Sequence, residues 1–420
     1  MDVHNGMSYY DSVKSFLLNK RQRALSGLYN CIPFPFPRFK MFLPGTQMGK
    51  YIIVTANQKI GKTKFCDFVY VYETLFFIME HSEVRVKILY FCLEESPRKK
   101  YTEFLCHLLY RLDRIELSPT ELESTDKDHP VPQEILDKLD SERYQRYIKK
   151  FEEMVEYIDS EKNPTGINKK CRDYALSHGH LNFKEVDIKE LDGTTSKRKI
   201  VDPVNPYTAD DSEEYRIAIL DNTSNLSTES GMKKMETVEK MSKYFITLRD
   251  QLNFTIVCIQ HQAQAQEGIE NFKLNRIKPS SDGLADCKTT TRDANMVIGL
   301  YSPFKYGLTE YEEYDITKFR NHIRFMEIIE DRDYGANGNI CPLYFDGAVS
   351  FFKELPKPDD YAGMQRVYEV LERKKKAKMS KVTLLAFMFT RINKFIHNDS
   401  ITNRKKCSRK LQSKAYGHFW

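Results

Sequence analysis

Residues Thr55–Phe65 read TANQKIGKTKF, and the way this stretch folds decides the architecture. Ala56-Asn57-Gln58-Lys59-Ile60-Gly61-Lys62-Thr63 has four residues between a small first position and Gly-Lys-Thr, the spacing of a phosphate-binding loop. Such a loop curls backbone N–H groups around phosphate oxygens at a helix N-terminus. Lys62 would then reach the β- and γ-phosphates, and the Thr63 hydroxyl would bind Mg²⁺. Gly61 lets the backbone come close, with no Cβ in the way. Ala56 stands where the pattern usually begins with glycine, a small change that is tolerable if this residue keeps a negative φ. The context suits the loop. Tyr51–Thr55 (YIIVT) is a short, continuously apolar, β-rich run of the kind that forms a buried strand. The helix after Gly61 is expected to turn Phe65, Phe68, Val69 and Tyr70 inward.

Three more apolar runs end in polar groups. Val86–Leu93 (VKILYFCL) ends at Glu94, Arg216–Leu220 (RIAIL) at Asp221, and Thr255–Ile259 (TIVCI) at Gln260 and His261. Helical patterns lie between them, including YTEFLCHLLYRL and Met235–Leu252. Alternation of this kind predicts an α/β fold with a largely parallel sheet flanked by helices, whose ligand site lies at the carboxyl ends of the strands. There Glu94 would orient or deprotonate an attacking water. Asp221 would hold Mg²⁺ through its water shell, and His261 would sense the γ-phosphate. Each has a plainer reading: Glu94 as a favourable charge at a helix N-terminus, Asp221 as a cap before TSNLS, His261 as a satisfied interior histidine. With Lys62 and Thr63 after the first strand, polar groups suited to nucleotide chemistry stand at four equivalent strand ends, and this favours the site. Ala294–Tyr301 (ANMVIGLY) is a further strand, and Phe325–Ile329 with Ile340–Phe345 suggests a closing hairpin around a glycine-containing turn. Arg332, in IIEDRDYGANG, is either a surface arginine paired with Asp331 or Asp333, or a group that neutralises transition-state charge, its own subunit's or a neighbour's.

Around this core, Tyr9–Tyr29 reads as an amphipathic helix with Val13, Phe16, Leu17, Leu25 and Leu28 on one stripe. PFPFPRF follows as an extended proline-rich joint. Residues 112–214 are polar and proline-punctuated, with weak strand signals and one helical piece, SERYQRYIKKFEEMVEYI, and are expected to be an insertion, part helix and part loop. The 420 residues carry a net charge of +6. Arg366–Trp420 holds fifteen Lys/Arg against three Asp/Glu, so a tail of +12 follows a body of −6. This imbalance is compatible with a nucleic-acid partner or with a merely solvated tail. No apolar run approaches the roughly 18 residues of a membrane span, and no secretory signal is visible. Nine scattered cysteines without a C-x-x-C pair point to reduced thiols in a cytoplasm.

In order and spacing these motifs resemble the RecA-like motor domain of DnaB-type hexameric replicative helicases, particularly phage versions, from about Phe36 to Leu355. YFCLEES (Tyr90–Ser96) is similar to that family's F-S-L-E segment, RIAILDN to its metal-linked aspartate strand, and TIVCIQHQ to the strand where some members carry a phosphate-sensing histidine. GLADCKTTTRDANMVIGLY resembles the segment that passes through a DNA-facing loop, and IIEDRDYGANGNICPLYF the closing hairpin that reaches the next subunit's nucleotide. The resemblance implies a linker helix and joint over residues 1–35, a P-loop ATPase core with a closing β-hairpin over 36–355, and a basic tail over 356–420. It implies ATP and Mg²⁺ as cofactors, Glu94, His261 and Arg332 as catalytic groups, and single-stranded DNA as partner, with Lys278, Lys288 and Arg292 in the DNA-facing segment. It also implies a homo-oligomeric (hexameric) ring, primase or other replication proteins as contacts, no membrane, and a cytoplasm, the host's for a phage protein. The sequence departs from the pattern at Ala56, at Asn295 (for a second aspartate) and at Glu330 (for the hairpin lysine). The family's primase-contacting N-terminal domain has no counterpart ahead of Tyr9. A filament-forming recombinase, a DNA-dependent loader ATPase, and a structural subunit that binds nucleotide without hydrolysing it remain alternatives.

Overall fold

The computed structural model describes residues 9–190, 193–203, 205–274 and 277–376. Its centre is a nine-stranded sheet, numbered here in chain order: β1 Tyr51–Ala56, β2 Arg85–Cys92, β3 Val155–Ile158, β4 Glu214–Asp221, β5 Thr255–His261, β6 Met296–Tyr301, β7 Ile323–Asp331, β8 Ile340–Asp346 and β9 Phe351–Glu354. The spatial order is β9-β8-β7-β6-β1-β5-β4-β2-β3. The pairs from β6 to β3 are parallel, and β7, β8 and β9 extend the sheet antiparallel. Every residue of β1 is buried, as are seven of the eight in β4, the exception being Glu214. Strands covered by helices on both faces need such continuous apolar runs. The expected strands and closing hairpin are all present, with ends shifted by one or two residues.

The helix after the loop runs Lys62–Cys66, passes through a π-helical turn at Asp67–Tyr72, and continues as Glu73–Glu80. All of Phe65–Tyr72 is buried, so this segment is enclosed on every face. The proline-rich joint is extended only at its start: Pro33 ends a short strand, while Pro37 and Arg38 form a turn into a 3-10 helix at Phe39–Met41, which the expected extended joint did not include. The joint also enters the core: Phe36 is sealed from solvent and stacks on Phe65 and Phe68, with ring centroids 6.2 Å from each. The N-terminal helix ends at Leu25, earlier than expected, and Phe16, Leu17 and Leu25 on its stripe stay exposed.

The segment 112–214 differs from expectation. The helix Glu142–Met154 stops where Val155–Ile158 leaves it to become β3, an edge strand of the central sheet beside β2. The helix buries Tyr144, Ile148, Phe151 and Met154, and Val155 and Ile158 are buried in turn. No turn residue separates helix from strand, so VEYI reads as a last helical turn until β2 offers it backbone partners. Two antiparallel pairs follow, Gly179–Leu181 with Tyr207–Ala209 and Phe183–Lys189 with Thr195–Val201. The segment is therefore part of the sheet and not only helix and loop.

The chain divides into two compact units, one of Met1–Tyr311 with Arg320–Glu354 and one of Glu312–Phe319 with the residues from Leu355. In the second, residues 361–376 are helical, and the Tyr368 ring packs on Phe319 and carries Lys318 over its face. The apolar stretch from Val382 and the basic run at Asn403–Lys406 lie outside the described residues. No helix among the described residues is long and apolar enough to cross a membrane.

His107 is sealed from solvent and stacked on Tyr72, with ring centroids 4.5 Å apart, and burial pushes its pKa down to about 4. Between that value and the histidine norm of about 6.5, the unfolded chain binds a proton that the folded chain refuses. Stability is therefore full above the higher value and falls as pH drops towards the lower one. From pH 7 to pH 5 this group alone is expected to remove about 2 kcal/mol of unfolding free energy. Urea unfolding at the two pH values reads this loss, and His107→Phe should abolish that share of it.

Candidate functional site

Parallel pairing brings four chemistry-bearing strand ends side by side. β1, β5, β4 and β2 are neighbours in that order, so the Gly61-Lys62-Thr63 turn, His261, Asp221 and Glu94 follow one another along one edge. The register is close: His261 pairs with Ala56, and Asp221 with Cys92. Chain order departs from spatial order here, which opens the crevice that α/β sheets use for ligands.

The loop has the geometry its sequence asks for. Gly61 caps the helix at φ 102°, in the left-handed region, and a Cβ there would stand 3.2 Å from the Phe345 ring. Lys59 is also left-handed, at φ 61°. Alternating conformations of this type aim successive N–H groups into one concavity. Ala56 ends β1 in ordinary strand geometry, so its methyl costs nothing. Side chains from later elements hold the loop: the buried Arg324 guanidinium donates to the Ile60 carbonyl at 2.7 Å, and Lys305 donates to the Gln58 carbonyl at 3.0 Å. The Asn57 amide donates to the Ile277 carbonyl at 3.0 Å.

Lys62 is 5% exposed, and its ammonium donates to the Ala56 and Asn57 carbonyls, each at 3.1 Å. Burial pulls its pKa down to about 8, against the pull of Glu94 and Asp221. The Thr63 hydroxyl donates to Asp221 Oδ1 at 3.1 Å. Glu94 accepts from the Asn222 side-chain amide, and its carboxyl is raised above the glutamate norm by burial and then by Asp221. His261 keeps its Nδ1 buried without a hydrogen-bond partner, and burial with the nearby Lys62 lowers its pKa to about 4. The imidazole is therefore neutral at pH 7. Gln260 turns the other way: its amide donates to the Ala285 and Cys287 carbonyls and accepts from Thr290. These residues fit Mg²⁺ and a nucleotide phosphate chain. A hydroxyl and a carboxylate oxygen already face each other, Gly61 and Lys59 hold the loop in left-handed conformations, and a buried imidazole nitrogen lacks a partner.

Arg332 lies elsewhere. Its strand end pairs near Met296, which is opposite Ile52, about 13 Å along β1 from Ala56 at ~3.3 Å per residue. Its guanidinium rests on the Thr291 and Arg292 carbonyls. Neither flanking aspartate pairs with it: Asp331 accepts the backbone N–H groups of Asp333, Tyr334 and Ala336, and Asp333 pairs with Lys50 at 2.9 Å. Asn295 accepts from the Tyr51 backbone N–H and from Arg249 at that same far edge. The three candidate DNA-contacting cations are spread out. Lys278 sits 4.8 Å over the Tyr311 ring on the loop side, Lys288 is exposed in the segment Gln260 grips, and Arg292 is exposed at the far edge beside Arg332.

Sequence reasoning passed over Asn222, Arg324 and a buried group of Asp67, Tyr90 and Lys100 beneath Asp221. The one available signal was Asp67, a lone charge inside the apolar run FCDFVYVY, since a buried acid needs a partner.

No protein-family profile matches the chain, and no curated protein matches it in sequence. Solved structures do match in fold. The ATPase domain of a helicase aligns with a TM-score of 0.56 at 13% identity, over 81% of this chain and 98% of that one. A DnaB-like replicative helicase, described together with its interactions with primase, aligns with a TM-score of 0.54 at 14% identity, over 81% of this chain and 66% of that one. The chain has the RecA-like α/β fold of DnaB-like helicase ATPase domains.

Proposed function

We propose that this protein is an ATP-driven DNA helicase motor that works as a homo-oligomeric ring on single-stranded DNA. The observation that carries the reading is the line of Lys62 and Thr63, His261, Asp221 and Glu94 on four adjacent strand ends, in a fold shared with helicase ATPase domains. Lys62 leaves its two carbonyls for the β- and γ-phosphates. Thr63 and Asp221, already in contact, would hold the metal. Mg²⁺, when bound, draws charge from the phosphate oxygens. Glu94, oriented by Asn222, takes the proton of the attacking water. His261, neutral and unpartnered, reports the state of the γ-phosphate, and its neighbour Gln260 carries that state to residues 285–290. Arg332 serves the site of the next subunit. Lys278, Lys288 and Arg292 contact DNA phosphates without reading sequence. Primase or another replication protein is the expected partner.

Hydrolysis by the purified full-length chain, with and without single-stranded DNA, tests the reading. DNA should stimulate the rate several-fold, and negative-stain microscopy should show closed rings. Filaments along DNA would favour a recombinase. Nucleotide binding without hydrolysis, indifferent to DNA, would favour a structural subunit, the reading that Glu330 beside Arg332 supports.

A further inference from the structure

Directly beneath Asp221 lies a lysine with no access to water. Lys100, on the helix Pro97–Asp113, is 0% exposed. Its ammonium donates to Asp67 Oδ2 at 3.0 Å and to the Tyr90 hydroxyl at 2.9 Å, and pairs with Asp221 Oδ2 at 3.2 Å. The Tyr90 hydroxyl also lies 2.8 Å from Asp67 Oδ1 and 3.2 Å from Asp221 Oδ2. This one ammonium therefore joins the helix that follows the phosphate loop, strand β2 and the end of β4. Its own helix begins just past Glu94, capped by Ser96 with Pro97 in the first turn.

A lysine in this position is costly. Burial penalises its charge, and the Asp67 and Asp221 carboxylates that face it compensate. Two carboxylates against one ammonium leave a single net negative charge. Lys100 and Tyr90 both lie on Asp221 Oδ2, which leaves Oδ1, the oxygen that accepts from Thr63 at 3.1 Å, turned towards the phosphate loop. A second ion pair, Lys64 with Glu103 at 2.9 Å, links the same two helices without touching Asp221. Joining the helices therefore does not require Lys100.

We infer that Lys100 is a positioning residue for the metal site: with Tyr90 it pins the outer oxygen of Asp221 and presents the inner oxygen, beside Thr63, to Mg²⁺. The inference rests on the proposed nucleotide site. Outer partners of this kind fix the orientation of metal-holding carboxylates, and losing one typically weakens metal binding about 10- to 100-fold.

The test uses the full chain and a fluorescent ATP analogue, whose binding is followed in EDTA and across a Mg²⁺ titration. Lys100→Met alone would strand Asp67 in the interior, so it is paired with Asp67→Leu. The double variant should raise the Mg²⁺ concentration for half-maximal tightening about tenfold. Binding in EDTA, which depends on the loop and Lys62, should stay within about twofold. The comparison variant, Lys64→Met with Glu103→Leu, should shift neither quantity. If the double variant does not fold, Tyr90→Phe carries the test. It is isosteric and uncharged, removes the hydroxyl shared by Lys100 and Asp221, and should raise the Mg²⁺ requirement about threefold. An unchanged Mg²⁺ requirement in a chain that binds the analogue overturns this inference alone. An equal rise in the comparison variant assigns the effect to helix packing and also overturns it. Failure of the unmodified chain to bind the analogue at all overturns the proposed function, and this inference with it.

Discussion

Glu94→Gln is expected to lower ATP hydrolysis about a thousandfold while leaving nucleotide affinity nearly intact. The substitution keeps the shape of the side chain and its contact with the Asn222 amide, and removes only the capacity to accept a proton. In the proposed site, phosphate and metal contacts fall to Lys62, Thr63 and Asp221, none of which the change alters. Burial and Asp221 raise the carboxyl above the ordinary glutamate value, which strengthens it as a base. The sign is definite: the acid limb of the pH–rate profile should lie above the pH where an unperturbed glutamate titrates, with the rate rising as the carboxylate forms. The residual rate of the glutamine variant should lack that limb. Single-turnover hydrolysis from pH 4.5 to 8, alongside equilibrium binding of a fluorescent ATP analogue, separates the two effects. A variant that hydrolyses at the parent rate removes Glu94 from catalysis, and one that no longer binds makes it a structural residue.

The strand ends were legible because each buried strand is a continuous apolar run stopped by a charge or an amide. That pattern needs no knowledge of the partner strands. β3 was hidden for the opposite reason. VEYI continues a helical period without a break, and only pairing with β2 makes it a strand. Gln260 and His261 looked equivalent in the sequence, but neighbouring residues of a strand face opposite sides. One therefore holds the 285–290 segment, and the other keeps a free imidazole nitrogen near Lys62. Lys100 was illegible for a chemical reason. A lysine on an amphipathic helix normally reaches solvent, and only the assembled structure shows Asp67 and Asp221 converging on it from two other elements. Arg332 shows the same limit. Its sequence neighbours suggest an ion pair with Asp331 or Asp333, but Asp331 is occupied by the hairpin backbone and Asp333 by Lys50.

The position of Arg332 leads to the second large effect. Its strand end and its own phosphate loop sit at opposite ends of the strands, so within one subunit it cannot neutralise charge on a nucleotide bound at the proposed Lys62 site. Head-to-tail association about a rotation axis would set the far edge of one subunit against the loop edge of the next. Arg332→Ala is therefore expected to lower hydrolysis about a thousandfold without weakening nucleotide binding by the isolated subunit. Lys62→Ala should abolish hydrolysis through the loop itself. The decisive measurement mixes the two inactive proteins. If the arginine acts on the neighbour, about a quarter of the interfaces in a random mixed ring combine an intact Lys62 with an intact Arg332, and activity returns to a corresponding share of the parent rate. If it acts on its own subunit, every site in the mixture lacks one group or the other, and no ratio restores hydrolysis. Glu330 sharpens the comparison, since a carboxylate beside the arginine opposes its field at the neighbour's phosphates. Glu330→Lys in the parent background should raise the rate if that edge faces a nucleotide, and should leave it unchanged if the edge faces solvent.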